Sequence, residues 1–169
     1  EPGKAEADLE ADIYKTMRGF LYVISGDALR NGDINEPFDG HFPAGEAMTD
    51  QLVSPEELPL WLTEEDLHFY VDEITRTGFR GGLNWYRNIN RLPAITAPFL
   101  GSTINQPSFY MGGSTDLIAG NTPEAISSMQ QALGDLRHCE IIEGAGHWLQ
   151  QECSSEVSSA MVSFLEGLD

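Results

Sequence analysis

Positive charge is scarce in this sequence: Lys and Arg total 9 against 27 Asp and Glu, for a net charge of −18. A surface of that sign repels phosphate, which argues against nucleic acid and anionic membrane as partners. Roughly two thirds of the acids precede Gly78, and a solvated surface accounts for them without a binding role. Long apolar runs are also missing; none approaches the roughly 20 residues that cross a bilayer. Cysteine is limited to Cys139 and Cys153. They form neither a metal-ligand spacing nor a disulfide framework, so a reducing compartment, the cytoplasm, is expected. The chain opens Glu1-Pro2 with no methionine and no basic-then-apolar leader, so a processed chain or part of a longer polypeptide is expected.

What remains is enough for a real core: 169 residues, 41% of them hydrophobic, fit one ordinary domain or two compact subdomains. Ala5, Leu9, Ile13, Met17 and Leu21 recur every fourth residue with acids between them, which predicts an amphipathic helix over 5–21. Phe20–Ile24 either extends it or forms a short strand. From Ser25 to Glu57, Gly, Pro, Asp and Asn predict a long irregular connection. Thr63 with Asp66 reads as a capping box opening a helix that Gly78 ends. The stretch Gly78-Phe79-Arg80-Gly81-Gly82-Leu83-Asn84-Trp85-Tyr86-Arg87-Asn88 then reads as glycines breaking the helix, followed by two large aromatics. Those aromatics are either core residues or a phenol presented into a pocket. A further short helix is expected before Pro93.

Beyond Gly101 the pattern changes. Pro107–Gly112 reads as a buried strand, and Pro123–Leu133 as a helix with Gly134 just past its end. Cys139–Ile142 reads as a second strand, and a closing helix carries Glu156, Met161, Phe164 and Leu165. The expectation is therefore α/β: a helical piece over 1–95, then βαβα over 96–169, a fragment of a parallel sheet too small to form a core by itself.

In open α/β sheets functional residues collect at the carboxyl ends of strands. Asp116 follows the first strand and His147 the second, the chain order of two members of the α/β-hydrolase triad. A His supplies a base near neutrality, and an Asp fixes its tautomer. Each alone also reads as structural, Asp116 as a turn former and His147 as a loop histidine. The third member is absent: no Gly-x-Ser-x-Gly elbow occurs, Ser114 fits turn chemistry, and neither cysteine has a nucleophile's setting. Gly144-Ala145-Gly146 lacks the third glycine of a dinucleotide loop. His41, His68 and His138 are scattered and read as surface residues.

Taken together, Thr63–Tyr70, the Gly78–Asn88 string, Asp116 within Gly-Gly-Ser-Thr-Asp, and Gly146-His147-Trp148 resemble epoxide hydrolases of the soluble, α/β-hydrolase type. Glu1–Glu10 is similar to the start of that family's helical cap. The likeness covers nearly the whole chain except Ser25–Pro55, and the Gly78–Asn88 string is its most specific part.

The resemblance implies the C-terminal portion of an α/β-hydrolase fold carrying an α-helical cap. It implies hydrolysis of an epoxide to a vicinal diol through an alkyl ester. Tyr86 matches a cap tyrosine that protonates the epoxide oxygen, His147 the base that activates water, and Asp116 its acidic partner. Trp85 and Trp148 are the corresponding substrate-binding candidates. The nucleophilic Asp, the oxyanion hole and a second tyrosine are expected from an N-terminal half of the same enzyme. His41-Phe42-Pro43 only imitates the oxyanion motif. The implied partners are an epoxide substrate and that N-terminal half, with a homodimer as one assembly; no metal or organic cofactor is implied. A haloalkane dehalogenase or esterase on the same core, or a non-catalytic module, are the alternatives.

Overall fold

The computed structural model describes residues 3–43, 45–117 and 121–168. Contacts divide the chain into two compact units, one of residues 1–23 and 41–100, the other of 24–40 and 101–169. The connection after residue 24 is divided between the two units.

In the first unit the helix expected over 5–21 is two helices, α1 (Lys4–Glu10) and α2 (Ile13–Val23). The break has a local cause. Asp12 Oδ1 accepts the Lys15 N–H at 2.9 Å, so Asp12 caps α2 as short acidic side chains do at helix starts. The buried Thr16 hydroxyl donates to the Leu9 carbonyl at 2.8 Å, satisfying an acceptor at the end of α1 that has no partner within its helix. The apolar run at 20–23 extends α2; Leu21, Tyr22 and Val23 are all buried.

α4 (Glu64–Thr77) opens on the expected capping box. Thr63 Oγ1 accepts the Asp66 N–H at 3.1 Å while Asp66 Oδ2 accepts the Thr63 N–H at 3.1 Å. Those hydrogen bonds hold the Asp66 carboxyl below its usual range. Leu67, 0% exposed, is its buried anchor, and α2 packs on α4. Gly78 ends α4 at φ 68°, ψ 172°, a region essentially reserved for glycine.

A different correction applies to Gly81 and Gly82. They do not break a helix but lie in the first turn of α5 (Arg80–Arg87), where several N–H groups lack intrahelical partners in any case. A short 3₁₀ turn, Ile89–Arg91, and α6 (Leu92–Thr96) follow, with Pro93 in the first turn of α6. Proline is tolerated there because the missing N–H is not needed.

The second unit contains a parallel pair, β1 (Ile104–Gly113) and β2 (Leu133–Ile142), joined through α7 (Pro123–Ala132). β1 starts three residues before Pro107, and a register irregularity between Ile104 and Pro107 absorbs the residue that cannot donate to the ladder. Gly134 is not a helix cap; it is the second residue of β2. Close by, α8 (Leu149–Glu152) and α9 (Ser154–Glu166) follow. Ala145, Leu149 and Val157 are buried together, with Met111, Ile142 and Cys153 packed against them. The connection expected to be irregular contains α3 (Gly26–Arg30), whose Ala28 is fully buried in this unit.

Candidate active site

Three glycines let backbone lie on backbone where the two strands end. A Cβ built on Gly113 would come within 2.2 Å of the Ala145 carbonyl oxygen, and one on Gly146 within 2.4 Å of the Gly26 nitrogen. One on Gly26 would come within 2.0 Å of the Gly144 carbonyl oxygen. No side chain fits at those separations, so the turns after β1 and β2 and the start of α3 are in direct backbone contact. Hydrogen bonds fix the same contact. Ser114 N–H donates to Ile142 O and Thr115 N–H to Ala145 O, each at 3.0 Å. The Gly144 N–H donates to Ser114 Oγ at 2.9 Å, the turn role expected of that serine.

This arrangement brings Asp116 and His147 together. His147 Nδ1 lies 2.9 Å from Asp116 Oδ1, with the side chains 29% and 15% exposed respectively. A carboxylate only accepts, so the contact suits a proton on Nδ1; in the neutral imidazole Nε2 then keeps its lone pair, the form of a general base. The Trp148 ring meets the imidazole edge-on, with centroids 5.0 Å apart.

Next to the pair, Tyr110 on β1 donates to Asn121 Oδ1, and Asn121 Nδ2 donates to Gly113 O at 2.6 Å. Burial first, then the negative charge of Asp116, raises the Tyr110 phenol above its ordinary range. It is a neutral donor there rather than a phenolate.

Sequence reading missed the residues that hold the histidine loop. Glu152 Oε2 accepts the N–H groups of Gly26 and Gly146, each at 2.9 Å, and its Oε1 accepts the Trp148 N–H at 3.0 Å. The His147 N–H donates to Ile24 O at 3.0 Å. The only local signal was an acid five residues after the histidine.

The other two candidates, Trp85 and Tyr86, lie on α5 in the first unit and are 77% and 66% exposed in this chain. α5 is tied down by α1. Glu10 Oε1 accepts the Phe79 N–H at 2.9 Å. Arg87, the residue after Tyr86, reaches both oxygens of Glu6 at 2.7 and 2.8 Å. That guanidinium contact lowers the Glu6 carboxyl to about 2. Among the described residues no three or more His, Cys, Asp or Glu are grouped to hold a metal ion, and no helix is long and apolar enough to cross a membrane.

A short parallel strand pair with an Asp–His couple beyond its carboxyl ends, together with a mainly helical unit, is the C-terminal portion of an α/β-hydrolase fold. The chain matches the C-terminal half of the epoxide hydrolases. It is 40% identical to epoxide hydrolase A of Mycobacterium tuberculosis (strain ATCC 25618 / H37Rv) over 169 residues, which is 100% of this chain and 51% of that protein. A solved epoxide hydrolase from an endophytic Streptomyces superposes with a TM-score of 0.88 at 36% identity, over 99% of this chain and 50% of that one. The crystal structure of epoxide hydrolase A from Mycobacterium thermoresistibile gives 0.81 at 38% identity, over 100% and 50%. No family model matches. The chain spans about half the length of the relatives it matches.

Proposed function

We propose that this chain is the C-terminal half of an enzyme that hydrolyses epoxides to vicinal diols through a covalent alkyl ester. The observation that carries the reading is the Asp116–His147 pair at the ends of two parallel strands, in a chain whose relatives carry the name epoxide hydrolase. The first unit is then the cap and the second the end of the core. An N-terminal half contributes the nucleophilic Asp and the oxyanion hole.

In the first step the nucleophilic carboxylate attacks an epoxide carbon and the ring C–O bond breaks. The departing alkoxide is a poor leaving group, and Tyr86 donates its phenolic proton to it. In the second step His147 Nε2 takes a proton from water as the oxygen attacks the ester carbonyl. Asp116 holds Nδ1–H and stabilises the imidazolium. Collapse breaks the acyl C–O bond and restores the carboxylate, and the leaving alkoxide keeps the proton still carried by the attacking oxygen. The proton on His147 returns through solvent to the Tyr86 phenolate, so epoxide and water leave as diol. Trp85 and Trp148 supply apolar walls to the substrate. The same reading keeps the protein in the cytoplasm, in line with two free thiols, and allows a homodimer, which sedimentation of the complete enzyme tests.

A single turnover of the complete polypeptide in ¹⁸O-water tests the chemistry. The ester route leaves the first diol unlabelled and puts the label into the enzyme carboxylate. A labelled first diol means direct attack by water and removes the ester. Halide release from haloalkanes without diol from epoxides selects a dehalogenase instead. Failure of every epoxide, haloalkane and ester leaves the non-catalytic reading.

A further inference from the structure

We propose that Glu152 is a positioning residue for His147, fixing the imidazole for the ester-hydrolysis step; the inference rests on the function proposed above. Its carboxylate holds three backbone N–H groups, those of Gly26, Gly146 and Trp148. Two of them flank His147. The N–H of His147 itself is held by Ile24 O. Three consecutive peptide groups around the imidazole are therefore tied down, and Glu152 supplies two of the ties.

The bond to Gly26 also clamps that loop to the start of α3, a segment more than a hundred positions earlier in the chain. Charge-assisted bonds of this kind are about twice as strong as neutral ones. The contact is also tight: Gly146 lies so close to Ser25 and Gly26 that no Cβ fits. The ring is thus held by Asp116 at Nδ1 and by its own backbone, and the backbone is set by Glu152.

A carboxylate suits the role because both oxygens accept. In Glu152→Gln one oxygen becomes an amide group that donates only. Either the Trp148 N–H or the Gly26 and Gly146 pair then faces a donor. The loop loosens on one side of His147 with almost no change in side-chain volume.

The reaction divides the consequences. His147 has no part in forming the ester and acts only in its hydrolysis. With the complete enzyme, Glu152→Gln is expected to lower kcat by about 10–100-fold, the effect of misplacing a catalytic group by a fraction of an ångström to an ångström. KM falls with it, so kcat/KM, which reports ester formation, stays within about threefold of wild type. The alkyl-enzyme accumulates in intact-mass spectra, and its burst amplitude counts the folded sites. Glu152→Asp keeps both acceptor oxygens and is expected to recover part of the loss. A merely structural residue would lower kcat and kcat/KM together with KM unchanged, and that pattern overturns the proposal. So does wild-type turnover in Glu152→Gln. If Glu152→Gln yields no folded protein, Glu152→Asp decides: reduced kcat at preserved kcat/KM supports the role, and unchanged kcat refutes it. His147→Gln serves as the control. No ester on that variant refutes the proposed function itself, whereas ester on it but none on Glu152→Gln refutes only the role of Glu152.

Discussion

Gly146→Ala tests the backbone contact on which the Asp116–His147 pair depends. The added methyl would lie 2.4 Å from Gly26 N, 2.6 Å from Ser25 C and 2.7 Å from Ile24 O. All three are backbone atoms, so no side chain can swing aside. Reaching ordinary contact distance requires a shift of about 1 Å between two packed segments, an overpacking that costs about 1–3 kcal/mol. That shift breaks the His147 N–H bond to Ile24 O and the Gly146 N–H bond to Glu152. Losing a neutral bond costs about 1 kcal/mol and losing one to a charged group about 2 kcal/mol. The expected loss is about 5 kcal/mol, a third or more of the stability of an ordinary domain. Urea denaturation followed by circular dichroism measures it. Gly81→Ala, where nothing lies within 4 Å of the added methyl, is the control and is expected to be neutral or stabilising by up to about 1 kcal/mol. A loss below about 1 kcal/mol in Gly146→Ala would mean that the two segments do not lie against each other as described.

Three further outcomes are expected. Tyr86→Phe in the complete enzyme slows ring opening by about 10²–10⁴-fold, less if a second tyrosine compensates; pre-steady-state ester formation reads it, and an unchanged rate returns Tyr86 to packing. The Glu6–Arg87 tie between α1 and α5 depends on pH. The folded Glu6 pKa is about 2 against an ordinary 4.5, so its contribution is fully present above about pH 4.5. It is lost as pH falls toward 2. The stability difference between wild type and Glu6→Gln should therefore close over that window, and a difference independent of pH rules the tie out. Finally, the 169-residue chain alone is expected to be inactive because the nucleophilic Asp is assigned to an N-terminal half; diol formed by the purified chain contradicts the assignment of the nucleophile to another segment.

Local signals were readable in the sequence and distant ones were not. The capping box at Thr63 and Asp66 and the stop at Gly78 depend on residues within one helical turn. So does the helix opened at Pro123, a residue tolerated in a first turn because its missing N–H has no partner there. Asp116 and His147 were legible because each follows a strand pattern by a few positions. The two-helix break at Ala11–Asp12 was hidden by an apolar repeat that continues across it, while its causes were the short side chains of Asp12 and Thr16. α3 was invisible because its partners, Gly144 to Gly146 and Glu152, lie more than a hundred residues away. Gly81 and Gly82 misled because glycine composition alone does not distinguish a helix end from a helix start. Gly134 misled for a related reason: β2 begins immediately after α7, leaving no cap to form.

The central claim is a covalent ester that His147 hydrolyses. Its most direct test is the intact mass of the complete enzyme carrying His147→Gln after exposure to an epoxide. Ring opening expels no leaving group, so the enzyme should gain the full mass of one epoxide and keep it. An unmodified mass, with wild-type enzyme turning the same epoxide over, would contradict the account.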